Sequence, residues 1–456
     1  MAGELKHFLF ENILLDDGWH QNVQLVIEGG DIFDIKFGAL PFADGERVSG
    51  HAIPGMANLH SHAFQRAMAG LAEQVSPEGD FWGWRKIMYG FLEALTPEDV
   101  EAIAAQLYLE MLKGGYTSVG EFHYLHHQVG GNAYDNPAEM SARIMAAAET
   151  SGIALCHLPV LYQTADMRGG ALAGPQMRFY NNTAAYQKLV EACQGLAAGN
   201  PNHSVGMAFH SLRAVPQSAL VDCLADFPEI PVHIHVAEQP KEVEEALDVL
   251  RARPVRFLCD YMGLDARWCL VHATHMDADE YRDVAASGAI VGLCPTTEAN
   301  LGDGFFDIER YTQENGRWGV GSDSHVSTSA AEELRLLDYG ARLRTGKRVS
   351  GAATGHIGAT MWQKAAQDGH AALGFDAGSL WIDKHADIVV LDAGHPVIAG
   401  RDGDAVLDSL VFAGHGNPVR DVMVGGEWRI RDGRHIQEEM ITERFINTIK
   451  KISSSN

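Results

Sequence analysis

Positive charge is scarce in this chain. Its 456 residues include 35 Lys or Arg against 60 Asp or Glu, a formal net charge of −25 at pH 7. Nucleic acids and anionic membranes are held by basic surfaces, so the balance argues against both as partners. It leaves room for a small anionic substrate, because a few local arginines decide that matter. Long apolar runs are also missing: none approaches the roughly 20 residues that span a bilayer. The opening stretch, MAGELKHFLFENILLDDG, carries acids where a secretory signal needs a basic start and an unbroken apolar segment. The six cysteines are scattered, the closest pair is Cys259 and Cys269, and no C-x-x-C occurs. That usage fits buried thiols in a cytoplasmic protein and excludes a disulfide framework. Short-period repeats and low-complexity tracts are absent too.

What remains is ordinary globular material, with 46% hydrophobic and 21% charged residues, long enough for a barrel plus a smaller unit. Between about Ala57 and Gly346, short apolar runs alternate with amphipathic helical stretches, the pattern of βα repeats. The runs are ANLHSH, TSVGEFHY, IALCHLPV, SVGMAFHS, PVHIHVAE, WCLVHATH, AIVGLCPT and RWGVGSDSH, eight in all. After the first, Thr96-Pro97-Glu98-Asp99 supplies an N-cap, a proline at the first helical position and an acid three residues on. Val100, Ile103, Ala104, Leu107 and Met111 then share one face, and Gly114-Gly115 ends the helix. Both flanks read as strands: HFLFENILL and NVQLVIEGGDIFDIKF, with a Gly-Gly hairpin, at one end, and WIDKHADIVVLD and RDVMVGGEWRIRDGR at the other. A helix follows from Glu438 to Ile452. The expected fold is α/β. It comprises a (β/α)8 TIM-type barrel over residues 54–375 and a small β-sandwich-like domain made from residues 1–53 and 376–456, with the terminal helix.

Six of the runs close on polar residues: His60 and His62, Tyr124, His210, His235 with Glu238, His272, and Asp323. In such a barrel these strand ends surround one mouth. His60 and His62 stand two apart on a strand and therefore point the same way. Alone, H-x-H is weak in a chain with 22 histidines. Together with His235 and Asp323 it can hold one divalent ion and leave a position for water. His233 shares a strand face with His235 and competes for the ligand role. Only His235 has a glutamate three residues on, which favours a packing place for His233. His123, His126, His127 and His325 lie near the mouth and are expected at the surface or behind the site.

In PGMANLHSH, HIHVAE, LVHATH and GSDSH, the chain resembles the amidohydrolase superfamily over nearly its whole length. The resemblance implies that His60, His62, His235 and Asp323 are the metal ligands. SVGMAFHS has no lysine at the end of the fourth run, which points to the one-metal, deaminase-like branch. HVAE matches that branch's H-x-x-E, in which Glu238 moves a proton to the leaving nitrogen. His272 matches the histidine that takes a proton from water, whose pKa a bound metal lowers from about 15.7 toward about 7. Zinc is the expected ion; iron suits the same nitrogen and oxygen donors.

A narrower resemblance runs through HSHAFQRAMAGL (60–71), FWGWRKIMY (81–89), EFHY (121–124), HSLRAV (210–215) and HIHVAEQ (233–239). It is to the branch that deiminates N-formimino-L-glutamate to N-formyl-L-glutamate and ammonia in histidine degradation. That implies Gln65, Arg85, Tyr124, His210 and Arg213 as substrate-binding residues, and a homodimer by analogy. The residues agree with this physically. A dicarboxylate needs cations in an otherwise acidic protein, and Arg213 can form paired, charge-assisted hydrogen bonds to a carboxylate. Two other readings stand beside it. One is an aminohydrolase of a purine, pyrimidine or triazine ring, which FWGWRKIMY could stack. The other is a non-catalytic barrel serving as a binding protein.

Overall fold

The computed structural model describes residues 4–38, 45–71, 73, 88–348, 355–414 and 416–455. The chain starts with β1 (Lys6–Leu15), β2 (Gly18–Glu28) and β3 (Asp31–Phe37), an antiparallel meander. Glu28 pairs with Asp31, so Gly29 and Gly30 form a two-residue turn with φ of 65° and 104°. Positive φ at both positions is the geometry that suits a twisted hairpin and that glycine adopts without steric cost. Next, β4 (Glu46–Pro54) lies parallel to β1, and one residue later the chain enters the barrel.

The barrel strands are β5 (Met56–Ser61), β6 (Tyr116–His123), β7 (Ala154–Leu161), the interrupted pair β8 (His203–Val205) and β9 (Met207–Phe209), β10 (Val232–Val236), β11 (Trp268–His272), β12 (Ile290–Leu293) and β13 (Arg317–Val320). All eight apolar runs are therefore strands, and each is parallel to its neighbours. Closure comes from β13 against β5, with Val320 opposite Asn58 and a further bridge from Ser61 to Asp323. The fourth run divides at Gly206, where a Cβ would stand 2.8 Å from the Pro231 carbonyl oxygen. Beneath the mouth, Gly292 and Gly319 leave room for Leu59, whose methyls would lie 2.6 Å from a Cβ at either position. The helix after the first strand spans Pro97–Lys113, and Thr96 and Asp99 make both hydrogen bonds of the capping box.

After the barrel come β14 (Ile388–Leu391), β15 (Val419–Val424), β16 (Glu427–Arg431) and β17 (Arg434–His435). Here β14 pairs with β4, so both chain ends share one sheet in the order β17-β16-β15-β14-β4-β1-β2-β3. The sheet curls until distant strands meet. Phe8 of β1 packs edge-on against Trp428 of β16 at 5.8 Å, and Lys6 pairs with Glu427. Phe10, Ile13, Val23, Leu25, Ile388, Val390 and Met423 are fully buried inside the curl and form a core separate from that of the barrel. Each such side chain contributes about 1.5–3 kcal/mol of burial, enough to hold a small unit that neither flank could form alone.

Asp387 ties the two parts together. It accepts hydrogen bonds from the Gly425 amide and His385 Nδ1, both near 2.9 Å, and lies 3.7 Å from His370 Nε2 on barrel helix Ile357–Ala372. Burial alone would raise its pKa, but the two histidines outweigh burial and hold it below the usual carboxylate range. The terminal helix, Glu438–Ser455, lies on the barrel, where Lys113–Glu438, Arg444–Glu101 and Lys451–Asp99 join it to helix Pro97–Lys113. No helix among the described residues is long and apolar enough to cross a membrane.

Candidate active site

The C-terminal ends of the barrel strands place three imidazoles and a carboxylate around one point. His60 Nε2 lies 3.2 Å from His62 Nε2 and 3.0 Å from His235 Nε2. Asp323 Oδ1, just past β13, is 3.2 Å from His62 Nε2 and 3.4 Å from His60 Nε2. On the far sides of the rings, His62 Nδ1 donates to the Phe122 carbonyl and His235 Nδ1 to the His210 carbonyl, both at 2.9 Å. A carbonyl only accepts, so those two Nδ1 atoms carry the protons and the inward Nε2 atoms are bare lone pairs. Burial lowers the pKa of all three histidines and keeps them neutral. A proton on His60 Nε2 could satisfy only one of its two neighbours. A divalent cation satisfies all four donors, and neutral imidazoles with one carboxylate are the chemistry such ions take. His233 is not among them: its Nε2 donates to the Ala372 carbonyl at 2.9 Å, away from the cluster.

The two groups expected to move protons sit beside this donor set. Glu238 follows Ala237, whose φ is 50°, and Glu242 accepts from both the Ala237 and Glu238 amides at 3.0 Å. Burial raises the pKa of Glu238, against the opposing pull of His272. His272 ends β11 with φ of 66°, its Nε2 3.9 Å from both Glu238 Oε1 and Asp323 Oδ2. Burial would lower its pKa, but Glu238, Glu298 and Asp323 override burial and raise it to about 10. A dication held by the same donors would oppose that pull.

A cavity of about 430 Å³ opens above these groups, within the size range of small-molecule sites. Gln65, Tyr124, His210 and Arg213 all line it, with Glu238, His272 and Asp323 at its base. Gln65 Nε2 donates to Tyr124 Oη at 2.8 Å, and the Tyr124 ring is fixed edge-on by Phe64 and Phe179. His210 both lines the cavity and holds His235 through its carbonyl. Arg213 uses Nη1 for Tyr162 Oη and the Ala165 carbonyl, both at 3.2 Å. Among the described residues its hydrogen bonds go to these neutral oxygens, while the Glu242 and Glu238 carboxylates attract its charge from across the cavity wall. Arg85 lies outside the described residues; Met88 and Tyr89 of the same FWGWRKIMY stretch line the cavity.

Three residues at the site, Tyr162, Glu242 and Glu298, escaped the sequence reading. Tyr162 follows β7 and anchors Arg213. Glu242 clamps the Glu238 turn; its place in the first turn of helix Pro240–Val249, two residues after a proline, was the available clue. His325 accepts the His62 amide at 3.2 Å and contacts Ser322 Oγ at 2.9 Å, which places it behind the ligands. His123 and His126 are likewise buried and donate to the carbonyls of Leu125 and Val160, whereas the half-buried His127 donates to the Tyr180 carbonyl. Glu298 contacts His272 Nδ1 at 3.3 Å.

A closed parallel barrel with a His-His-His-Asp donor set at its C-terminal mouth defines a class, and residues 52–429 match the Amidohydrolase family. The chain belongs to that family. It is 48% identical to the formimidoylglutamate deiminase of Pseudomonas aeruginosa, over 97% of this chain and 98% of that protein. A crystal structure of an amidohydrolase from Brucella melitensis superposes with a TM-score of 0.94 at 43% identity, covering 98% of this chain and 100% of that one. An adenosine deaminase from Xanthomonas campestris with bound zinc shares the fold at a TM-score of 0.82, with 20% identity and 98% of each chain covered.

Proposed function

We propose that the protein hydrolyses N-formimino-L-glutamate, replacing its C=NH with C=O and releasing N-formyl-L-glutamate and ammonia. The observation that carries this reading is the cavity itself. Arg213 stands in its wall, and Glu238 and His272 face the donor set at its base. The 48% identity to a formimidoylglutamate deiminase supports the substrate. His60, His62, His235 and Asp323 would hold the ion, zinc by the precedent of the zinc-bound fold relative. When bound, the ion supplies the Lewis acidity that brings a water's proton within reach of a base at neutral pH.

The chain's own residues perform the remaining tasks. His272 Nε2 faces the cavity floor and accepts the proton of the attacking water. Glu238, its pKa raised by burial, carries a proton to the departing nitrogen, so that ammonia leaves instead of the far more basic amide ion. Arg213 binds a substrate carboxylate, and Gln65, Tyr124 and His210 donate neutral hydrogen bonds around it. The test is ammonia release from N-formimino-L-glutamate by the zinc-loaded protein, with guanine and adenosine as competitors. Release from the formimino substrate and none from the rings is expected. Turnover of a ring with silence on the formimino compound would replace this reading with that of a ring aminohydrolase.

A further inference from the structure

The seventh barrel strand contributes nothing to the donor set, yet it delivers a buried carboxylate to the edge of the site. Pro295 starts helix Pro295–Leu301 directly after β12, and Glu298 falls in its first turn. There the side chain folds back over the helix start, and Oε1 accepts the Cys294 amide at 2.9 Å. The same oxygen lies 3.3 Å from His272 Nδ1. Only 5% of the Glu298 side chain is exposed. Accepting the amide of an N-cap residue from the first turn requires just a neutral oxygen, which Gln provides as well as Glu. A full carboxylate buried in the same place is costly unless it meets a positive or proton-donating partner, and His272 is that partner.

We infer that Glu298 is a positioning residue for the hydrolysis proposed above, fixing both the tautomer and the aim of His272. The inference rests on that reading of His272 as the proton acceptor. A carboxylate accepts and does not donate, so Nδ1 keeps its proton and Nε2 is left as the nitrogen that exchanges protons with the cavity. The geometry fits the assignment. His272 Nε2 is the atom 3.9 Å from Glu238 and Asp323, and its ring stacks on His235 at 5.6 Å and 20°. Rotating the ring would point the Nδ1–H at the metal ligands and withdraw the base. Glu298 opposes that rotation from one side and the His235 ring from the other. The logic is that of the carboxylate behind a catalytic imidazole, which holds the ring in the useful tautomer without itself touching substrate.

The experiment compares Glu298→Gln and Glu298→Asp with the wild type as zinc-loaded proteins. In Glu298→Gln, the amide can turn its NH2 toward Nδ1 and drive the proton onto Nε2. We expect kcat to fall roughly 10- to 100-fold, the range for partners that act through another group. KM, zinc content and inhibition by the product N-formyl-L-glutamate should stay within a factor of about three. Glu298→Asp, which keeps the acceptor-only charge, should recover part of kcat. The inference is overturned if kcat is unchanged in Glu298→Gln, if it falls only in step with zinc content, or if Glu298→Asp is no better than Glu298→Gln. Silence of the wild type on N-formimino-L-glutamate would refute the substrate and leave this point to nitrogen-15 NMR. The His272 resonances, identified by their loss in His272→Asn, should report protonated Nδ1 in the wild type and a shifted proton in Glu298→Gln. Identical spectra would refute the positioning role.

Discussion

Arg213→Ala is the substitution whose effect the structure allows to be worked out. Nη1 is engaged by Tyr162 Oη and the Ala165 carbonyl. Among the described residues this leaves the Nε–Nη2 edge, two parallel donors matched to a carboxylate. Each charge-assisted hydrogen bond is worth about 1.5–3 kcal/mol, so the pair is worth about 3–6 kcal/mol. The cavity is open to water, which screens part of that, and we take the lower half, about 3–4 kcal/mol. At about 1.4 kcal/mol per factor of ten, kcat/KM should fall by roughly 10²- to 10³-fold. Arg213→Lys keeps the charge and loses the fork, so its loss should be roughly 10-fold or slightly more. The assay is coupled ammonia release from N-formimino-L-glutamate and from a formimino compound lacking both carboxylates. The variant should lose activity on the first and little on the second. A loss below about threefold on the first would refute the clamp. So would equal losses on the two compounds, since the arginine would then act on something other than a carboxylate.

Chelation of the metal should abolish activity and lower the melting temperature, since a ligand at 1,000 times its dissociation constant stabilises the fold by about 4 kcal/mol. Zinc should restore both, and a chelated protein with full activity would refute the donor set. Asp387→Asn should destabilise the fold by about 3 kcal/mol in urea titrations at neutral pH, the scale for breaking a buried ion pair. Because the folded pKa of Asp387 is held down, its contribution is present above the unfolded value of about 3.9 and is lost as pH falls toward the folded one. The gap between wild type and variant should therefore be constant from about pH 5 to 6, close in more acid solution, and narrow again as pH rises through the raised pKa of His385. A gap that widens on acidification below about pH 5 would contradict the assignment.

The eight barrel strands were legible because parallel strands buried on both sides must be apolar, while their ends must turn polar where they meet a site. His60, His62, His235 and Asp323 were legible for the same reason, each sitting at or just past such an end. Glu298 was not. It is 26 positions from His272 in the chain, and the strand before it is followed by Cys-Pro-Thr-Thr, with no carboxylate or imidazole at the expected place. Its contact exists only because adjacent barrel strands bring the two loops together. The curl of the β-sheet was hidden similarly. Phe8 and Trp428 carry no local sign of each other, and their meeting is a product of accumulated strand twist.

Backbone conformation explains how motifs of awkward spacing reach one cavity. His60 and His62 are two apart and share a strand face without special geometry. His235 and Glu238 are three apart, and continued extended geometry would send Glu238 to the opposite face. Ala237 intervenes in the left-handed region, with φ of 50°, and turns Glu238 back over the mouth. His272, Ala273, Asp323 and His325 adopt the same region, with φ between 45° and 66°. Each such residue costs about 1–3 kcal/mol, and such conformations persist only where surrounding bonds over-determine them. Those bonds are present. Glu242 takes both amides of the Ala237–Glu238 turn, the Ala273 amide donates to the Val236 carbonyl at 3.0 Å, and the Asp323 amide donates to the His60 carbonyl at 3.0 Å. The strained residues belong to, or directly border, the side chains gathered at the cavity: His235, Glu238, His272 and Asp323. Strain here is therefore tied to the site: it bends strand ends whose regular continuation would scatter the cavity-lining side chains, and the neighbouring strands and the helix that carries Glu242 supply the hydrogen bonds that sustain it.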